Sequence, residues 1–124
     1  KLSDRIGRAK TTIIGTSFWV ISGLLLASLN YHAFLVAGVT CGIASGINSP
    51  ALFAWGVDVA NGVKSGRAIA TLFVALEIGI GAGAFGSAAI FSNSFQNLRW
   101  VFVVLTLINV VAILYTLSIR KRAY

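Results

Sequence analysis

Charge is scarce in this chain, and several residue types with distinctive chemistry are nearly missing. Its 124 residues include three acids, one histidine, one cysteine, one proline and no methionine. A lone Cys41 allows neither an intramolecular disulfide nor a zinc cluster. With one His, one Cys and three acids scattered over different segments, there is no metal set and no nucleophile–base pair, so an enzyme is not expected. Gly79-x-Gly81-x-x-Ala84 looks like part of a dinucleotide fingerprint, but no strand precedes it. Charged residues make up 10% of the chain, against about 25% in a soluble domain. What fills the remaining space is 57% apolar side chains and 13 glycines. A body this small cannot hide that much apolar surface from water, and disorder requires the opposite composition. The chain therefore reads as an integral membrane protein.

Four runs are long enough to cross about 30 Å of hydrocarbon as helices. They cover residues 11–29, 33–57, 68–91 and 100–119, and only Glu77 interrupts them with a charge. Closed hydrogen bonding in lipid favours helices here, and the alternation of a barrel strand is not seen. Short connections impose an up-and-down order. Nine of the ten basic residues, all but Arg99, flank one set of span ends. The positive-inside rule then puts both termini in the cytoplasm, and the plasma membrane is the expected location. The +7 net charge is thus assigned to membrane topology and not to nucleic acid. Tyr31, Trp55, Trp100 and Tyr115 fall near span ends, where amphipathic rings anchor to the interface.

Glu77 is the only ionisable side chain inside a span. A carboxylate in hydrocarbon costs a few kcal/mol, about 3 on insertion scales, so such a group faces a cavity or a partner. A carboxyl that sheds its charge there can carry a proton, or it can hydrogen-bond a neighbouring helix. Small residues recur around it. Gly79 and Gly83 lie on one face and Gly81 on the other, so the third span is expected to pack on both sides with Glu77 in a crevice. The second span repeats Gly38, Gly42 and Gly46 before Pro50, which leaves the Gly46 carbonyl without its helical donor. Thr40, Ser45, Asn48 and Ser49 in that span could bind a ligand or a neighbouring helix. The first and fourth spans are poorer in polar groups.

The opening Leu2-Ser3-Asp4-Arg5-Ile6-Gly7-Arg8-Ala9-Lys10 resembles the cytoplasmic signature of the major facilitator superfamily, G-x-L-a-D-R-x-G-R-[KR]-x. Ser65-Gly66-Arg67-Ala68 and Leu76-Glu77-Ile78-Gly79-Ile80-Gly81 are similar to the family's penultimate helix. The resemblance implies a twelve-helix fold of two halves, with these four spans as helices nine to twelve. The chain would then be a C-terminal fragment of a transporter whose N-terminal half is missing, in keeping with a start at Lys1. It further implies that the second span lines a cavity, that the third packs between halves and that the first and last face lipid. Asp4, Arg5, Gly7 and Arg8, with Asp58 and Arg67, would latch the cytoplasmic side shut against the other half. Ordinary positive-inside topology would account for the same charges.

The expected function is secondary active transport of a small organic solute or drug by alternating access, coupled to protons through Glu77 and needing no cofactor. A stand-alone four-span dimeric exporter and a membrane scaffold subunit that transports nothing are the alternatives.

Overall fold

A computed structural model of the chain describes residues 6–60, 65–92 and 94–122. Four long helices account for almost all of it: α1 (Arg8–Ala27), α2 (Tyr31–Val59), α3 (Ser65–Phe91) and α4 (Leu98–Arg122), with a 3₁₀ turn at Phe95–Asn97 before α4. All four are long and apolar enough to cross a membrane, and no strand occurs among the described residues. The expected spans are recovered, each helix extending beyond its apolar run at one or both ends. The added residues are mostly polar or aromatic, as expected where a helix leaves hydrocarbon for the interface.

Local chemistry explains the helix ends. Gly7 caps α1 with φ +94°, a backbone region that strains any residue with a Cβ. α1 closes through Leu29 at φ 53°, with the Ser28 and Leu29 amides donating to the Leu25 and Leu26 carbonyls. Asn30 then starts α2, its side chain accepting from the His32 amide at 3.0 Å; the cap satisfies a donor left free at the helix start. α2 runs unbroken through Pro50. In the spans, hydroxyls of Thr11, Thr12, Thr16 and Thr106 donate to carbonyls four residues back. Such internal pairing lets polar side chains sit where no water is available.

Packing departs from the sequence reading. α1 lies between α2 and α4 and makes the most extensive contacts in the chain, whereas α3 touches α2 and α4 only sparingly. Thr11, Thr12, Gly15, Thr16, Ser22 and Gly23 of α1 are buried, and α3 has no buried residue. Within the described bundle the first span is thus the central helix, with one face still exposed, and the third is not enclosed by the other described helices. The cause is side-chain size. Gly15 faces Asn48 so closely that an added Cβ would lie 3.0 Å from the Asn48 Cβ and 3.2 Å from its amide nitrogen. Gly23 meets Thr106 of α4 in the same way. Close backbone approach replaces the hydrophobic effect as the source of helix association in lipid.

Among the described residues, the six glycines expected to pack helices meet no neighbouring helix. Around Gly38, Gly42, Gly46, Gly79, Gly81 and Gly83, a Cβ would meet nothing within 4 Å. Their faces point away from the described bundle. Besides Gly15 and Gly23, Gly56 is the close-approach position, set against the Leu72 side chain of α3.

Candidate functional site

Three features of the bundle bear on function: a charged clasp at one end, a groove between α2 and α3, and a carboxylate on α3. The clasp joins residues fifty positions apart in sequence. Antiparallel packing of α1 on α2 brings the first turn of one beside the last turn of the other, and Arg8 Nε donates to Asp58 Oδ2 at 2.8 Å. The Arg8 side chain is 28% exposed and that of Asp58 53% exposed. An ion pair this open to solvent is worth at most about 1 kcal/mol. Two residues of the expected latch thus meet inside the chain itself. Gly7 sits beside them as the α1 cap. Arg67 is exposed in the first turn of α3, and Asp4 and Arg5 lie outside the described residues.

The clasp makes a direct prediction. Asp58→Arg is expected to destabilise the bundle by about 1 kcal/mol, and adding Arg8→Asp should recover most of that loss. Titration of the helical signal with a denaturing detergent reads both. Losses that simply add would show that the two side chains are not coupled.

The groove between α2 and α3 holds about 280 Å³ and is lined by Ser49, Leu52, Phe53, Leu72, Ala75 and Leu76. Beside it, Phe53 and Phe73 stack with ring centroids 5.0 Å apart. Its size falls just below the range of small-molecule sites, and its walls are apolar except for Ser49. Of the four polar candidates in α2, Ser49 lines this groove. The Thr40 hydroxyl is committed to the carbonyls of Val36 and Ala37 in its own helix. Ser45 is exposed. Asn48 turns into the α1 contact, where its Oδ1 is buried with no hydrogen-bond partner. The four are therefore not gathered into a single cavity.

Glu77 is exposed midway along α3. Among the described residues, no hydrogen bond or ion pair holds it and no crevice forms around it. Ala75 and Leu76, its neighbours in sequence, reach the groove.

A junction overlooked in the sequence lies further along α1, toward its C-terminal end. Ser22 is 1% exposed; its hydroxyl donates to the Ala37 carbonyl at 3.0 Å and lies 2.8 Å from Cys41 Sγ. It borders a small cavity of about 130 Å³ whose walls include Trp19, Gly23, Thr106 and Asn109. Thr106 and Asn109 spend their donors on their own helix. The signal was available: Thr12, Gly15, Thr16, Ser22 and Gly23 form a stripe of small residues at helical spacing.

No curated protein and no solved structure matches the chain. A family model does, over residues 1–123: that of the Major Facilitator Superfamily. Four membrane-length helices and a match across nearly the entire sequence lead to one conclusion, that this chain belongs to the Major Facilitator Superfamily.

Proposed function

We propose that this chain is the C-terminal four-helix portion of a proton-coupled secondary transporter that moves a small organic solute or drug by alternating access. Family membership supports secondary transport in general. The observation that carries the finer reading is Glu77, an exposed carboxyl at mid-span on a helix with no buried residue of its own. An ionisable group at that depth calls for a cavity or a partner in the bilayer. The small residues around it leave room for another helix bundle to approach. Glu77 is then the proton carrier at the contact between halves, with Ser49 and its groove on the substrate side.

The basic end lies in the cytoplasm, so that both termini are inside the plasma membrane. The Arg8–Asp58 clasp stays within this half, while Asp4, Arg5 and Arg67 beside it close that side against the other half and let go as the halves rock. The test uses everted membrane vesicles carrying the full polypeptide, energised to an acid interior and offered a panel of small organic solutes. At least one solute is expected to exchange for protons, read by an interior pH dye. Solute movement that never disturbs the pH gradient would remove proton coupling from the proposal.

A further inference from the structure

The cavity beside Ser22 lies where α1, α2 and α4 meet, and it shares no lining residue with the groove between α2 and α3. Trp19 falls near the middle of α1 and Asn109 near the middle of α4. A spanning helix carries its middle to the centre of the hydrocarbon. Most of the wall there is apolar, from Leu26, Phe102, Leu105 and the Trp19 ring, and no carboxylate, ammonium or guanidinium lines it. A charged occupant at that depth would lack a counter-charge, at a cost of about 3 kcal/mol or more. The occupant that fits is neutral.

Hydrogen-bond accounting narrows the chemistry further. Ser22 has one hydroxyl proton, and it goes to the Ala37 carbonyl at 3.0 Å. The Cys41 thiol, 2.8 Å away, is then the donor to Ser22 Oγ, so both groups are satisfied. Thr106 donates to the Phe102 carbonyl at 2.8 Å, and Asn109 Nδ2 to that of Leu105 at 2.9 Å. Besides hydroxyl lone pairs, two groups on this wall remain unused among the described residues. They are the Trp19 indole N–H, which only donates, and the Asn109 amide oxygen, which only accepts. A single hydroxyl answers both. The volume of about 130 Å³ would take about four waters, most of them lying against hydrocarbon. An apolar cavity of about 150 Å³ takes one benzene ring, so this one suits a body of about six heavy atoms.

We infer that this cavity is a binding site for a small neutral alcohol. Its hydroxyl donates to Asn109 and accepts from Trp19, and its apolar body lies against Leu26, Phe102 and Leu105. The site joins α1 to α4, so an occupant stabilises their pairing by mass action. Shape alone would admit a compact apolar molecule without a hydroxyl, but that leaves the two polar groups unanswered. The hydroxyl is therefore worth about fivefold in affinity, the scale of one net hydrogen bond. This inference is independent of whether, or how, the protein transports.

The test uses the full chain in mild detergent with W55F and W100F, which leave Trp19 as its only tryptophan. The probe is 2,2,2-tribromoethanol, a compact alcohol whose bromines quench an indole on contact. Trp19 fluorescence is expected to fall along a saturating curve. The chain with W19F and W55F, which keeps only Trp100, should show the unsaturated slope of probe dissolved in the micelle. Bromoform has the same three bromines and no hydroxyl. At equal concentration within the micelle it should bind about fivefold more weakly. N109L, close in size but without the amide, should bring the two affinities together. Unsaturated quenching of Trp19 by tribromoethanol, or a preference that survives N109L, overturns the proposal. Should N109L fail to fold, the bromoform comparison in the chain with Trp19 alone decides, and equal affinities there overturn it.

Discussion

Gly15→Leu is expected to separate α1 from α2 and to cost the bundle at least 3 kcal/mol, at the upper end of overpacking penalties. An added Cβ at Gly15 would lie 3.2 Å from the amide nitrogen and 3.3 Å from the Cα of Asn48. These are backbone atoms, which no rotamer change can move aside. The rest of the leucine side chain would have to displace the whole of α2 at this level. Such a displacement would also loosen Ser22 from the Ala37 carbonyl, a bond between two otherwise buried groups. Gly42→Ala is the control. It adds a methyl to open space and replaces glycine with the best helix former, a change worth up to about 1 kcal/mol in the favourable direction. Thermal unfolding of the two purified variants in mild detergent compares them. Equal stability of Gly15→Leu and wild type would mean that the α1–α2 contact is not what holds the chain together. Should Gly42→Ala be stable yet fail to transport, the bare α2 face would be identified as a surface for the rest of the transporter.

Glu77→Gln is expected to abolish proton-driven accumulation while leaving solute exchange intact. Glutamine keeps the size and the hydrogen-bonding ends of the side chain but cannot pick up or release a proton. One coupled proton moving through 100 mV supplies about 2.3 kcal/mol, which corresponds to about a fiftyfold concentration ratio. The variant should therefore fall from a ratio of that order to one. Exchange of labelled for unlabelled solute at zero gradient needs no net proton movement and should continue at near the wild-type rate. Vesicles carrying the full polypeptide allow both readings in one preparation. Undiminished accumulation by the glutamine variant would show that Glu77 is not the coupling group. Loss of exchange together with accumulation would mark it as part of the substrate path or of the helix packing instead.

The membrane-spanning architecture was legible without coordinates. Runs of about 20 apolar residues can satisfy their backbones in lipid only as helices, and all four appear within a few residues of the expected places. The family was also written locally, in the Asp4-Arg5-x-Gly7-Arg8 signature and in the stretch around Glu77. Both depend on residue type and order along one segment, so no folding is needed to read them.

Which faces meet was decided only by the tertiary structure. In water a buried helix face betrays itself by its apolar side chains, but in lipid an outward face is just as apolar, so hydropathy is silent about packing. Small residues are the remaining clue, and here α1, α2 and α3 all carry them. The stripe in α1 forms close contacts, through Gly15 and Gly23, whereas those around Gly42 and Gly79 meet nothing among the described residues. The difference lies in what stands opposite each glycine, a fact about three-dimensional register. The same holds for the clasp. Arg8 and Asp58 were each visible as charged residues at a span end, but only the antiparallel seating of α1 on α2 brings them to 2.8 Å.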